Sequence, residues 1–445
     1  MTSGGNTSGA RYVRSRRQFL RDTAALGVGL AGLTGVGGLA SACGNGDSGS
    51  SDGITFIRYG DAGAAKIWAK MVELFNKDHP DIKVTVRNIA ADSWAAFFDS
   101  VSVQIAGGQV PDVVHVATEG QRLFISRNLV EPIDTYIERD KAELEPYFKD
   151  VHPNLIKWTN ELTSPGEETF YLPHGFNTMC IHYSTEIFQK AGVDEPGDDW
   201  TWDDFLTISR QIKTKLPQTF AMAVGATHFA GAAPWLFTNG ANLLNDDWTQ
   251  ATADTPEAME AAEFMRQLVA EGLSPKPGGE FDAFTAMTQG KLAMFGGGRW
   301  PTVTLRSLNY VDKVKIVPWP QKTKQGSPVG WDAYPILKGS KNKDAAWEFV
   351  KFMCSAEATK LYAEQTGTIV PPLKSIAQSE AFLKNAPAGS EKLYEALTYA
   401  TPIPSPDEGS AIEHSIIDSF TQVLTGNVKP DAALKQLNQQ IQAKL

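Results

Sequence analysis

Residues 290–303 (GKLAMFGGGRWPTV) set three consecutive glycines, Gly296, Gly297 and Gly298, against Arg299 and Trp300. Glycine lets backbone N–H groups come close to an anion, so a phosphate cradle is the first chemistry to test. The nucleotide-binding loop needs Gly-x-x-x-x-Gly-Lys-Ser/Thr, and Gly298 is followed by arginine and tryptophan instead. The stretch offers a flat ring beside a bend. A flat ring with an open face can stack on a ligand, with polar side chains nearby to orient it. The competing readings are an ordinary loop and a Trp300 buried in the core.

Two carboxylates could complete such a site. Asp61 follows Gly60 at the end of an expected first strand, where it can accept two hydroxyls or cap the next helix. Glu119 trails the strand PDVV in the same way. Asp112, inside that phrase, is expected to make structural turn contacts. A glycosidase also needs two carboxylates, roughly 5–10 Å apart, but no glycosidase signature surrounds Asp61 or Glu119. Arg299, directly after the glycines, is the candidate cation that a phosphate-bearing ligand would need. The seven histidines are scattered and no Cys/His spacing fits zinc, so no metal or cofactor is expected.

The elements that must hold these residues alternate. Residues 54–60 read as a strand, and 64–79 carry Ile67, Met71, Leu74 and Phe75 at helical spacing until Pro80 stops them. Residues 82–89 alternate as a strand, 93–106 form a helix ended by Gly107 and Gly108, and 110–116 form a short strand. This β-α-β-α-β order predicts a mainly parallel sheet flanked by helices. Further on, 170–184 are strand-rich, 187–192 are a short helix, and 201–216 open on Thr201 with Asp204 three positions later. A helix over 256–272 starts with Pro256 and stops at Gly272, and a helical region over 340–367 breaks near Ser355. No periodic repeat is present.

The N-terminal segment stands apart. Arg11, Arg14, Arg16, Arg17 and Arg21 precede an apolar run over 24–42, the layout of a secretory signal. SRRQFLR (15–21) looks like the twin-arginine export motif. Six glycines between 27 and 38 leave the run too weakly apolar for a stable membrane-spanning helix. LASAC (39–43) resembles a lipobox with Cys43 as the lipidated residue, although Ala40 stands where leucine is preferred; the alternative is plain cleavage beside an incidental cysteine. The following tether, 43–53, has no apolar residue beyond Cys43 and reaches about 17–19 Å as a flexible coil. The whole chain of 445 residues carries a net charge of −10, which becomes −14 without residues 1–42. Such an acidic body gives no footprint for nucleic acid, and its length predicts two domains. Cys180 and Cys354 remain; the exported body is no disulfide scaffold, and the two are expected to stay unbonded.

Several phrases in order resemble one family: LFNKDHPDIKVTV (74–86), GGQVPDVV (107–114), NLVEPIDTYI (128–137), YSTEIFQKAGV (183–193), DWTWDDF (199–205), FTAMTQGKLAMFGGGRW (284–300) and SKNKDAAWEFVKF (340–352). The closing GNVKPDAALKQLNQQIQ (426–442) fits as well. The body is similar to the extracellular solute-binding proteins of family 1, the sugar-capturing lipoproteins of ATP-binding-cassette importers. Ser184 departs from the usual asparagine after the tyrosine.

The resemblance implies an α/β, two-lobed periplasmic-binding-protein-like fold of type II, with the ligand cleft between lobes joined by a multi-crossing hinge. It places lobe one at 54–175 and 333–385 and lobe two at 179–328 and 386–445. The crossings are expected near 176–178, 329–332 and 385–389. It implies a non-catalytic monomer on the outer face of the cytoplasmic membrane, lipid-anchored, with a carbohydrate ligand and permease subunits as partners and no cofactor. Alternatives are an exported glycosidase and a same-fold receptor for a glycerol phosphate ester. The ligand contacts it suggests are Asp61, Trp94, Glu119, Asn177, Trp235, Asn239, Arg299, Trp300, Trp331 and Asp332. Trp235 could equally be core, and Asn239 a turn cap. Trp68, Trp158, Trp319 and Trp347 are left to packing.

Overall fold

The computed structural model describes residues 53–60, 65–91, 93–164, 166, 168–278, 281–365 and 367–445. The leader, Cys43, nearly all of the tether, and Asp61 lie outside them.

β1 (Gly53–Tyr59) buries Ile54, Phe56 and Ile57 and pairs in parallel with β2 (Lys83–Ile89) on one side and β3 (Val113–Val114) on the other. The Ala65–Asp78 helix between β1 and β2 presents Trp68, Met71 and Phe75 inward at helical spacing and ends before Pro80. The Trp94–Ala106 helix is capped by the Ser93 hydroxyl, which accepts the Ala96 N–H at 3.2 Å. Gly108, at φ 80°, turns the chain out of it.

A second sheet connects rather than covers. Its central strand β10 (Ser327–Ala333) runs antiparallel to β4 (Val116–Ala117) and to β5 (Pro173–Thr178), and parallel to β11 (Ala400–Pro402). The third sheet has the order β7-β8-β6-β9, from β6 (Cys180–Ser184), β7 (Phe220–Ala223), β8 (Leu292–Gly297) and β9 (Val314–Pro318). The mainly parallel sheet expected of residues 54–116 is thus the first sheet, whereas this third sheet is mixed: β7 and β8 are parallel and β6 runs against both β8 and β9. β6 enters straight from β5 with Met179 between them, not through a helix of its own sheet, so no β-α-β unit sets its direction.

Local signals hold elsewhere. Thr201 and Asp204 form a reciprocal cap, Thr201 N–H donating to the carboxylate at 2.9 Å and Asp204 N–H to the hydroxyl at 3.2 Å. Gly192 and Gly272 stop their helices at φ 63° and 69°. The Lys343–Met353 and Ala356–Gln365 helices divide at Ser355. Ser184 ends β6, and its hydroxyl accepts the Ile187 N–H at 3.4 Å, capping the next helix. Cys180 and Cys354 are buried and unbonded.

Most buried apolar side chains gather in two sets. One takes residues from β1 through Phe176 and from Val329 through Leu397, together with Cys180 and Ile316; the other takes residues from Met179 to Leu273, Ala293, Met294, Val317, Trp319 and Ile403–Ile441, while a small cluster over 286–314 packs apart. Residues 385–389 do not mark the change between the two sets. Ala388 C=O accepts the Ile316 N–H at 2.8 Å, which lays this segment along the open edge of β9. Leu393, Tyr394 and Leu397 then return to the first core, and the chain reaches the second only at Ile403, past β11.

Candidate functional site

The glycine run ends β8, and each glycine is required by a different neighbour. A Cβ on Gly296 would come within 2.6 Å of the Trp319 ring; on Gly297, within 2.7 Å of Pro301; on Gly298, within 2.4 Å of the Trp300 ring and 2.6 Å of the Asn177 Oδ1. The space that glycine leaves is filled by the protein's own side chains, not kept open for a ligand. Chain direction then brings Trp300 to the start of the Pro301–Ser307 helix, half-buried, with one side packed on the second core.

From Trp300 a series of contacts reaches the connecting strand, and a second series leads from that strand toward the first sheet. The Trp300 ring lies 6.3 Å from Phe229, tilted by 49°. Phe229 faces β10 at Gly330, where a Cβ would stand 3.4 Å from the ring. Two residues along β10, the Asp332 carboxylate meets His115 Nε2 at 3.2 Å. His115 touches the edge of Trp94 at 4.8 Å, and Trp94 stacks on Tyr59 at 4.4 Å and 29°. Two aromatic pairs, Tyr59–Trp94 and Phe229–Trp300, thus flank the middle strand. Tyr59, Trp94, Phe229, Trp300 and Asp332 all keep part of their surface exposed. Rings with an open face beside a carboxylate and a carboxamide suit a ligand with apolar faces and hydroxyl edges.

The polar members differ in charge. Burial lowers the His115 pKa, and the Asp332 carboxylate offsets only part of this, so the imidazole is neutral beside the aspartate. Glu119, in the first turn of the Thr118–Ser126 helix, is pushed up to about 8 by burial and then by Glu413. It carries a proton at neutral pH and can donate as well as accept. The Asn177 Oδ1 accepts the Arg299 N–H at 2.8 Å, and its Nδ2 donates to Thr368 C=O at 3.3 Å. Its amide orientation is thereby fixed beside Trp300.

Four expected contacts are corrected. Trp235 is 0 % exposed, edge-on to Trp202, Phe205 and Trp319 within 5.1–5.7 Å, in the middle of the second core. Trp331 is 0 % exposed as well, because alternation along β10 turns it inward onto Trp158 while Asp332 faces out. Asn239 spends its Nδ2 on Glu257 C=O at 2.8 Å and Glu260 Oε2 at 2.9 Å. Arg299, also 0 % exposed, donates to Phe382 C=O at 2.6 Å and lies 4.3 Å over the Phe382 ring, so it offers no cation to a phosphate ester. Burial, with Arg306 nearby, lowers its pKa to about 9. Asp61 falls outside the described residues, and Trp94, Glu119, Asn177, Trp300 and Asp332 remain as candidates.

Tyr59, His115 and Phe229 were not singled out from the sequence. His115 had a signal: it is the one polar residue in the apolar run from Val113 to Val116. Tyr59 had none beyond the adjacent Gly60, and Phe229 had none. Among the described residues no cluster of His, Cys, Asp and Glu is arranged to hold a metal, and no helix is long and apolar enough to cross a membrane.

The model of the bacterial extracellular solute-binding protein family matches residues 60–360, more than half of the chain. A maltotriose-binding protein of Pyrococcus abyssi is 24 % identical over 358 residues, covering 77 % of this chain and 72 % of the relative. A lactose-binding protein of Rhizobium radiobacter is 22 % identical, covering 64 % and 66 %. Among solved structures, an ABC substrate-binding protein of Listeria monocytogenes in complex with cycloalternan superposes with a TM-score of 0.78 at 24 % identity, covering 88 % of this chain and 98 % of its own. The maltose-bound MalE3 of T. maritima gives 0.75 at 19 %, covering 88 % and 100 %. The fold is that of the two-lobed α/β periplasmic binding proteins.

Proposed function

This chain belongs to the bacterial extracellular solute-binding protein family, and we propose that it is the carbohydrate receptor of an ATP-binding-cassette importer. The observation that carries the reading is the pair of aromatic platforms, Tyr59–Trp94 and Phe229–Trp300, on either side of the strand that presents Asp332. Rings supply apolar area to sugar faces, while Asp332, Glu119 and Asn177 orient hydroxyls. The sugar-binding names of the relatives support the same ligand class. Binding, closure and hand-over to a permease are the function, and catalysis is no part of it.

Lobe one takes residues 54–175 and 333–397, and lobe two 179–328 and 403–445, joined by β5, β10 and β11. A few residues on those strands absorb the closure motion. The twin-arginine segment and Cys43 support export followed by lipid anchoring on the outer face of the cytoplasmic membrane, where a monomer would meet its permease.

Titration calorimetry against mono-, di- and oligosaccharides, with product analysis of the same samples, tests this. One saturable site with unchanged sugar is expected. Released shorter sugars would instead make it a glycosidase, and silence across all sugars would overturn the ligand class.

A further inference from the structure

The Thr118–Ser126 helix of lobe one meets the Gly409–Leu424 helix of lobe two beside the connecting sheet. Their approach is close: a Cβ on Gly409 would stand 3.6 Å from the Glu119 carbonyl oxygen. Glu119 and Glu413, each only part-buried, line one narrow cleft together with His228, Phe229, Ile403 and Ile412, and its volume is about 10 Å³. That is room for roughly one water and for no further side chain. Among the described residues neither carboxyl has an ion-pair partner. Arg122, one turn beyond Glu119, is turned to Asp407 at 3.4 Å and lies 5.7 Å over the Trp248 ring.

We infer that this helix–helix contact is a proton-dependent latch between the lobes, closed while Glu119 is protonated and loosened once both carboxyls are charged. The inference rests on the two-lobe motion proposed above. Two like charges sharing so narrow a cleft, with no cation paired to either, raise each other's affinity for a proton. One proton removes the repulsion and leaves a hydroxyl that can donate to the opposing carboxylate.

The other groups facing this contact do not replace the proton. Asp332 on β10 adds a second negative charge, and His414 beside Glu413 is exposed. His228 is buried and neutral, its pKa lowered to about 3. Asp99 and Glu161 on the neighbouring helices are exposed, and Glu161 is within 3.9 Å of Lys157. On the helices packed behind Glu413, Glu257, Glu260, Asp431 and Lys435 are exposed, and Arg266 pairs with Glu263.

The sign follows from the two states. In contact, burial and then Glu413 push Glu119 up to about 8, whereas a separated helix returns it to the ordinary 4.5. Between these values the joined state holds the extra proton, so the ratio of separated to joined molecules rises with pH by up to about tenfold per unit, then levels.

Nitroxides at Val103→Cys and Leu308→Cys, exposed positions on the two lobes, would report the inter-lobe distance without any sugar, in the Cys43→Ser chain. The distribution is expected to move to longer distances from pH 5 to pH 8 and then stay level. The shift should shrink in Glu413→Gln and vanish in Glu119→Gln/Glu413→Gln. A distribution that does not change from pH 5 to 9, or an equal shift in the double variant, overturns the latch. Glu413→Gln alone suffices if the double variant misfolds. The sugar-binding reading fails separately, by calorimetric silence at fixed pH.

Discussion

The Asp332 Oδ2 and His115 Nε2 stand 3.2 Å apart, joining the strand that connects the lobes to the loop beside the first sheet. Asp332 is the one feature that raises the His115 pKa against its larger lowering by burial. In Asp332→Asn the imidazole should therefore titrate lower still, observable by NMR of its ring protons. Sugar affinity should fall about 10- to 150-fold, the range for losing a charged hydrogen bond. An unchanged affinity would take Asp332 out of the site.

Trp300→Ala separates stacking from packing. Taking roughly 100 Å² of ligand contact at about 25 cal/mol per Å² gives about 2.5 kcal/mol, on the order of a 60-fold weaker dissociation constant. Trp300→Phe should recover part of this. Unfolding free energy should drop by less than the ~3–5 kcal/mol of a fully buried tryptophan, because one side of the ring is already open. Calorimetry and urea unfolding on the same variant check both.

Trp235→Ala should behave in the opposite sense. Its ring is enclosed by Trp202, Phe205 and Trp319, so truncation should cost about 3–5 kcal/mol of stability and leave the affinity of the folded fraction near wild type. A large affinity loss at unchanged stability would return Trp235 to the ligand.

Acid should weaken the fold. His174, His182 and His228 are fully buried, and burial depresses each to about 3 from 6.5. The unfolded chain binds the extra protons between these values, so stability is full above 6.5 and is lost as pH falls, by up to about 1.4 kcal/mol per unit for each histidine. Glu119 and Glu413, both raised by burial, work against this, while His115 and His152, both lowered by burial, add to it. Urea midpoints that are equal at pH 7 and pH 4 would contradict the expectation.

Thiol chemistry offers a further check. Burial pushes both Cys180 and Cys354 up to about 12, so neither should react with a disulfide reagent in the native protein. Unfolding without reductant should release both of them. A closed pair would mean that the lobes are stapled.

The parts of this molecule that the sequence reveals are the ones decided within a few residues. The Thr201–Asp204 cap, the Gly192 stop and the break at Ser355 all depend on neighbours along the chain, and each forms where its residues indicate. Burial of a tryptophan is not decided that way. Trp331 follows Gly330 and Trp300 stands two positions after Gly298, yet strand alternation turns the first onto Trp158 and a helix start leaves the second half-open. The course of residues 385–389 escapes the sequence for a related reason, since they are captured by the distant edge of β9. Half of each aromatic platform was missed: Tyr59 and Phe229 gain their meaning only from what lies across from them.

Asn177 ties three separate parts of the chain together: it sits on connecting strand β5, accepts from Arg299 beside Trp300, and donates to Thr368. Gly298 fits between its carboxamide and the Trp300 ring with no room for a methyl group. A twist of β5 is therefore passed to the attitude of that ring, as a crank passes rotation to a lever. A sugar of the wrong shape would be met by a misaligned platform before closure is complete, so discrimination would show in how fast the complex matures as well as in how long it lasts.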